Sequence, residues 1–464
     1  MHFEHMSKDL MGMHVWRQTQ TQSTINNFYE EDLNILNPRR NARGNGDGIF
    51  RVEFPLMQWT VALHYKIFGN SILITRVYMF IIGLITIFGM YRFLLELFQN
   101  TLLAIFGAWT FNFSPSFFYY TINPMPDNLA LCFSIWGIAL IFNWYRTGKI
   151  RSLYLGGLLL SIGALVKLPF ILYFTVPATF LIIFLRQRNR DKKLIVHFLL
   201  SNVFIILPLA WYIRVIPSWN DNIVIKGMFN NQESIRTTLD NLVHNLIVAL
   251  PELLLNYGSL LFFLSGFYFL FNRKSYRNPK FNILLVLSLS VLAYFFYELN
   301  MIGKAHDYYL FPFYPLLFAI VGYGAYCLRE SKNKVLSYLT IFLLGIIPVT
   351  CYLRMQGAWN PDSPGFNKDL LVYQEDLRTA IPDESLVVAG NDQSNFIFLY
   401  YINKKGWGYS DDNLSAEILE EMISDGAEYI YTDSQIINHN PEIKHLIGEL
   451  VLERSSIKIF KLNR

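Results

Sequence analysis

The chain has 464 residues, of which 53% are apolar, 16% aromatic and 16% charged, with a formal net charge of +4. A soluble enzyme carries about 25% charged residues, so lipid is the solvent for much of this chain. The small net charge gives no argument for nucleic-acid binding. Cys132, Cys327 and Cys351 lie in apolar stretches without CxxC or Cys/His spacing, which excludes a disulfide framework or a zinc site read from cysteines.

In chain order, residues 1–70 come first, an outer loop region with no signal peptide and no apolar anchor. Segments 19–29 and 56–68 mix apolar and polar residues at helical spacing, which predicts short amphipathic helices on the membrane surface. The Gly-rich piece 44–48 between them is expected to be a mobile loop. Residues 71–355 then hold ten stretches apolar enough to cross a bilayer, near 72–91, 102–122, 128–145, 152–166, 168–185, 194–213, 253–272, 281–297, 308–328 and 335–353. Lys167 separates the fourth from the fifth, and Leu168-Pro169 puts a helix break there. In residues 356–464 charge rises and apolar runs shorten. Strands are predicted at 385–390 and 427–432 and a strand pair within 449–461, with helices near 369–380, 394–403 and 414–425. The fold class is therefore an all-α polytopic membrane bundle of about ten spans with a small C-terminal α/β domain. That domain has no Gly-rich phosphate loop and no triad signature, and reads as a substrate-covering or scaffolding module.

The connections between spans divide by charge. Stretches 146–152, 186–193, 272–280 and 329–334 hold 15 Lys/Arg in 30 residues, while 121–127, 216–247 and 299–306 hold only Lys226, Arg236 and Lys304. The groups alternate along the chain, and the positive-inside rule makes the first group cytoplasmic. The C-terminal domain and residues 1–70 then lie outside the plasma membrane. A polar N-terminus of that length needs help to cross, which predicts one further apolar helix upstream of Met1.

Ionisable groups at the membrane mark function by default. Here they gather at the outer ends of spans, and the middles of the spans are almost free of charge. A coupled transporter uses polar sites near the midplane, so the pattern favours chemistry at the outer interface. Four segments stand out: His14-Val15-Trp16-Arg17-Gln18, Val52-Glu53-Phe54-Pro55, Asn123-Pro124-Met125-Pro126-Asp127, and Lys304-Ala305-His306-Asp307-Tyr308-Tyr309. Each alone has an ordinary explanation: an interfacial Trp/Arg anchor, an exposed Glu, a helix N-cap, or interfacial tyrosines.

Taken together and in this order, with the Lys167-Leu168-Pro169 step, they resemble the membrane glycosyltransferases of the GT-C fold. The likeness is to family 39, the bacterial relatives of protein O-mannosyltransferases and of the aminoarabinose transferase that modifies lipid A, and it spans roughly residues 12–355. It implies a polyprenyl-phosphate sugar donor and an acceptor hydroxyl on a glycan, lipid or protein, at the outer face of a bacterial inner membrane. It also implies that the family's first helix is missing here. Such enzymes usually carry an Asp or Asp-Glu directly after that helix, where this chain reads Gly12-Met13-His14. The base is therefore left among Glu53, Asp127 and His14. Trp16, Arg17, Gln18, Arg76, Lys167, His306, Asp307 and Tyr308 are the substrate-binding candidates, with Arg17 and Lys167 suited to a departing phosphate. A divalent metal bridging Glu53, Asp127 and the phosphate is conceivable, though no ligand cluster demands it. The rival reading is a transporter or flippase of lipid-linked saccharides.

Overall fold

The computed structural model describes residues 2–186, 192–219, 233–274 and 278–463. Two helices precede the bundle, α1 (Val15–Glu30) and α2 (Leu56–Phe68). Both were predicted, but α1 does not lie on a surface. Gln18, Thr19, Thr21, Gln22, Ser23, Ile25, Asn27 and Phe28 along it are all buried. Its amide nitrogens find acceptors: Gln18 donates to the Tyr119 hydroxyl at 2.9 Å, Gln22 to the Tyr65 hydroxyl at 2.9 Å, and Asn27 to Asn41 Oδ1 at 2.9 Å, while Gln18 Oε1 and Gln22 Oε1 have no partner among the described residues.

The bundle follows. Helix α3 spans Ile72–Phe98, and α4 (Thr101–Asn112) and α5 (Pro115–Tyr120) share one expected crossing that Pro115 divides. Helices α6 (Pro126–Thr147) and α7 (Ile150–Val166) come next, then a 3-10 turn (Leu168–Phe174) leading into α8 (Thr175–Leu185). Beyond these, spans Lys193–Trp219, Lys280–Tyr297, Asp307–Arg329 and Lys334–Trp359 are each long and apolar enough to cross a membrane. Ile235–Leu254 and Tyr257–Asn272 form one apolar pair bent by 109°. Among the described residues seven helices qualify as spans, or eight with the bent pair, and Thr101–Asn112 and Ile150–Val166 are shorter apolar helices. All ten predicted crossings thus have helical counterparts.

The described residues of the basic connections 146–152 and 272–280 meet at one end of the bundle. Glu96 near the end of α3 accepts from Arg146 at 2.6 Å and from Asn143 at 2.9 Å, and the Lys280 ammonium donates to the Glu96 and Leu97 carbonyls at 3.1 and 3.0 Å. The connection 272–280 is described in part, as are 186–193 and the polar stretch 216–247; the rest of each lies outside the described residues. At the opposite end sit α1, α2, the start of α6, the end of α7 and the turn before Asp307–Arg329.

The C-terminal part carries a five-stranded sheet, with β1 (Leu386–Gly390), β2 (Lys405–Gly408), β3 (Tyr429–Thr432), β4 (Ile447–Arg454) and β5 (Ile457–Leu462) in the order β2-β1-β3-β5-β4. Strand β1 is parallel to β2 and β3, while β5 is antiparallel to β3 and β4. The strands expected at 385–390, 427–432 and 449–461 are all present. Strand β2 was missed, because Lys405-Gly406-Trp407-Gly408 has neither alternation nor β-branched residues. The helix predicted over 369–380 forms as two short pieces, Asp369–Val372 and Gln374–Thr379.

The Gly-rich piece 44–48 is not a free loop. Arg43 N and Gly44 N donate to the Gly406 carbonyl at 2.9 and 2.8 Å, and Gly406 N donates to the Asn41 carbonyl at 3.1 Å, which pins the segment to the edge of β2. Gly406 has φ of 146°, and a Cβ there would lie 2.0 Å from the Val387 carbonyl oxygen, so only glycine allows this approach. Residues 8–12 run between bundle and sheet domain. Asp9 accepts from Tyr400 at 2.7 Å and from Gln374 at 2.9 Å, and Gly12 N donates to the Pro364 carbonyl at 2.7 Å.

Candidate active site

Four segments far apart in sequence converge at this end of the bundle. The turn 51–54 is tied to its neighbours by its backbone. Phe54 N donates to the Leu165 carbonyl at 3.3 Å, and the Trp211 and Trp219 indoles donate to the Val52 and Arg51 carbonyls at 3.1 and 2.7 Å. This holds Glu53 above the end of α7. There Lys167 is extended, with φ −150° and ψ 114°, because Pro169 has no N–H to give to the Leu165 carbonyl and α7 ends short of it. The break points its ammonium at two carboxylates, 2.8 Å from Glu53 Oε1 and 3.4 Å from Asp127 Oδ1.

Arg17, in the first turn of α1, donates to the same Glu53 Oε1 and to Gln20 Oε1 at 2.5 Å. Asp127 is the second residue of α6, behind Pro126, and does not cap that helix with its side chain. It is buried, and its Oδ2 has no hydrogen-bond partner. The Tyr308 and Tyr309 rings face Lys167, with centroids 5.7 and 5.1 Å from the ammonium. Burial works to raise the Glu53 pKa, but the adjacent Arg17 and Lys167 overcome it and hold the carboxyl at about 2. A carboxylate so stabilised is a weak proton acceptor.

A second cluster adjoins the first. Gly12 has φ of 84°, and a Cβ on it would meet the Ala358 carbonyl oxygen at 1.9 Å, so the loop into α1 passes flush against residue 358. His14 follows in the left-handed region, with φ 52° and ψ 36°. Its Nδ1 lies 2.6 Å from the Tyr120 hydroxyl and 3.7 Å from Asp307 Oδ1. Tyr120 donates its proton to Asp307 Oδ1 at 2.8 Å, and Ser116 donates to Asp307 Oδ2. With the hydroxyl proton committed to Asp307, Nδ1 of His14 must be the donor to Tyr120. The Nε2 lone pair is left free, with no partner among the described residues. The Tyr308 ring joins the clusters, 5.0 Å from the His14 ring. His306 donates from Nδ1 to the Met301 carbonyl at 2.8 Å, stacks on His14 at 5.8 Å and meets Trp16 edge-on at 6.0 Å. Burial, then the neighbouring His14, lowers its pKa.

The structure thus brings Arg17, Glu53, Asp127, Lys167 and Tyr308 together, with His14, Trp16, His306 and Asp307 alongside. Two of the predicted substrate-binding residues are placed elsewhere. Arg76 is fully buried, and its guanidinium is spent on the Lys8, Asp9 and Ile122 carbonyls and on Asn123 Oδ1, at 2.8 to 3.1 Å. Gln18 is also fully buried, held by the Met13 carbonyl and Tyr119. Both brace the N-terminal segment. Tyr120, Ser116, Tyr309 and Gln20 belong to the clusters and were not predicted. Tyr309 closes the segment 304–309 that stood out in the sequence, whereas nothing in Phe117-Phe118-Tyr119-Tyr120 separates one tyrosine from an interfacial anchor. The point between Glu53 and Asp127 where a bridging metal was conceived is taken by the Lys167 ammonium, and no group of three metal-ligating side chains occurs among the described residues.

A small cavity of about 40 Å³ is lined by Arg17, Gln20 and Glu53, and two larger ones lie nearby. One of about 240 Å³ is lined mostly by apolar side chains, including Leu250, Phe263, Leu292, Leu310 and Phe313. The other, about 490 Å³, lies between His14, Trp16 and the C-terminal domain.

Over 98% of its length the chain superposes on 94% of ArnT from Cupriavidus metallidurans bound to undecaprenyl phosphate, with TM-score 0.65 at 10% identity. The chain has the GT-C fold. The same fold relates it to the archaeal oligosaccharyltransferase AglB from Archaeoglobus fulgidus in complex with an inhibitory peptide and a dolichol-phosphate, with TM-score 0.57, 11% identity, and coverage of 92% of this chain and 66% of that one. It also relates it to the arabinofuranosyltransferase AftD from Mycobacteria, with TM-score 0.58, 11% identity, and coverage of 98% and 38%. Residues 53–212 match the family model described as dolichyl-phosphate-mannose-protein mannosyltransferase, a stretch that contains Glu53, Asp127 and Lys167. No curated protein matches by sequence.

Proposed function

We propose that this protein is a membrane glycosyltransferase that moves a sugar from a polyprenyl-phosphate donor to an acceptor hydroxyl, at the outer face of a bacterial plasma membrane. One observation carries the reading. The turn Asp307–Phe313 presents Tyr308 and Tyr309 to the Lys167 ammonium, and Leu310 and Phe313 to the apolar cavity of about 240 Å³. Cations for a phosphate and a greasy slot for a lipid chain therefore lie on the two sides of one short segment. The matches to ArnT with undecaprenyl phosphate and to AglB with dolichol-phosphate support it. The basic connections at the far end of the bundle support an outward-facing site and an extracytoplasmic C-terminal domain.

In the reaction, the acceptor oxygen forms a bond to the anomeric carbon as the bond from that carbon to the phosphate oxygen breaks. The electron pair leaves with the polyprenyl phosphate, whose negative charge grows. Arg17 and Lys167 stabilise that charge, and a phosphate leaves without a separate acid. The acceptor proton goes to His14 Nε2, with the imidazolium held by Tyr120 and Asp307. Glu53 positions the two cations rather than accepting the proton, and Asp127 adds a second carboxylate to Lys167. A flippase reading finds less support, since the clustered charge lies at one end of the bundle.

The test is to reconstitute the purified protein with a panel of undecaprenyl-phosphoryl hexoses and pentoses in membranes of the producing cell, and to follow donor loss. Donor consumed by the wild type and spared by Arg17→Ala is the expected result. Donor untouched by both would defeat the assignment.

A further inference from the structure

The cavity of about 490 Å³ is walled on one side by His14 and Trp16 and on the other by Phe366, Asn367, Asn391 and Asp433 of the C-terminal domain. Its volume falls in the range of small-molecule sites, roughly 300–1,000 Å³. We propose that it is the acceptor site and that it takes an uncharged carbohydrate, presenting one hydroxyl to His14. This rests on the transferase reading above.

Position argues first. His14 lines this cavity, while Arg17 and Glu53 line a separate small one, so the proton acceptor and one of the phosphate-gripping cations border different chambers. Charge argues next. Asp392 and Asp433 line the cavity and no Lys or Arg does, so a phosphorylated or carboxylated acceptor meets repulsion there. The hydrogen-bonding inventory then fits vicinal hydroxyls. Asp433 accepts from Asn391 N at 2.8 Å through one oxygen and from Asn367 Nδ2 at 2.7 Å through the other, which fixes the loop and leaves further lone pairs. Asn391 accepts from Asp411 N at 3.1 Å, and its amide group has no acceptor among the described residues. Acceptor and donor thus stand side by side on one rigid wall. Trp16 and Phe366 offer apolar faces for the C–H side of a sugar ring. Asp392 is different: its oxygens are occupied by Ser394, Ile397 N and Phe398 N, and it contributes charge alone.

In the step proposed, the carbohydrate oxygen bonds to the donor's anomeric carbon and its proton passes to His14 Nε2, while the electron pair of the broken bond leaves on the lipid phosphate. The experiment blocks the cavity at a residue without a polar role. Ala305 lines it and is exposed, and Cys132, Cys327 and Cys351 are buried, so Ala305→Cys gives a single accessible thiol for N-pyrenylmaleimide. Two readouts are taken: transfer of radiolabelled sugar from the undecaprenyl-phosphoryl panel in membranes of the producing cell, and the melting-temperature shift caused by undecaprenyl phosphate. Labelling is expected to lower transfer at least ten-fold and to leave the shift intact. Full transfer by the labelled protein overturns the proposal. Loss of the shift together with transfer also overturns it and gives the cavity to the donor. Unlabelled protein that shows neither transfer nor shift sinks the transferase reading itself. Radioactivity in a lipid-extractable glycan or in a water-soluble glycan supports the carbohydrate class and tells the two carriers apart. Radioactivity bound directly to protein hydroxyls overturns that class.

Discussion

Lys167 Nζ lies 2.8 Å from Glu53 Oε1, although 114 positions separate the two residues in the chain. The contact exists because a proline-enforced break ends α7 at Lys167 and two tryptophans pin the backbone around Glu53. Arg17 shares the same carboxylate oxygen, so one anion organises two cations.

Glu53→Gln is expected to leave two mostly buried cations short of a counter-ion, at a cost of about 3–5 kcal/mol. The folded carboxyl sits at about 2 against an ordinary 4.5. A depressed pKa contributes stability that is fully present above the unfolded value and is lost as pH falls through the folded one. That shift corresponds to about 3 kcal/mol. The melting-temperature gap between wild type and Glu53→Gln is therefore widest at neutral pH and closes between pH 4.5 and 2. A gap that stays constant over that window would show that the ion pairs do not hold this end of the bundle together.

Arg17→Ala removes one of two partners from Glu53 while Lys167 remains, so the bundle folds. Transfer is expected to fall by about 100-fold or more, the size of a lost transition-state contact. Arg17→Lys does not restore it, because an ammonium lacks the fork that grips two phosphate oxygens. The check is donor consumption beside a melting curve, and recovery with Lys would reduce Arg17 to a point charge.

His14→Gln should lower kcat by about 10²–10⁴-fold with undecaprenyl phosphate binding unchanged. Tyr120→Phe should cost about ten-fold, since it removes the group that sets the imidazole tautomer but keeps the imidazole. A His14→Gln protein of normal rate, together with an inactive Glu53→Gln, would return the proton to Glu53.

Arg76→Ala should act on folding rather than on turnover. Four oxygens lose their donor, and a destabilisation of at least about 3 kcal/mol is expected from charge-assisted hydrogen bonds of about 1.5–3 kcal/mol each. Limited proteolysis near residues 8–12 reads it directly, because Arg76 holds the Lys8 and Asp9 carbonyls. Unchanged protection with a lost rate would place Arg76 in the reaction instead.

Much of this architecture was legible in the chain. Apolar runs marked the helices of the bundle, seven or eight of which are long enough among the described residues to cross a membrane. Pro169 marked the break at Lys167, since a proline cannot donate the hydrogen bond that would carry α7 onward. Segments α1 and the Gly-rich piece 44–48 misled for a shared reason. Both are polar and look solvent-exposed, yet Asn27 and Gln22 find amide and hydroxyl partners, and Gly44 finds the backbone of a strand more than 350 positions away. Side chains can be placed on a helix face by counting, but their partners in another element cannot.

Arg17 and Arg76 show the same limit within the candidate site. Both are arginines near the outer end of a helix, and nothing local distinguishes them. One meets a carboxylate beside a cavity and the other is consumed by backbone carbonyls. The amino-acid order by itself determined the class of solvent, the positions of the apolar helices, the charge asymmetry and the short list of ionisable groups, because these follow from local composition and period. Only the tertiary structure decided which of those groups pair, which imidazole nitrogen keeps a free lone pair, and which residues merely brace the fold. Those outcomes depend on distances between segments that the chain brings together through packing, and no period in the sequence encodes them.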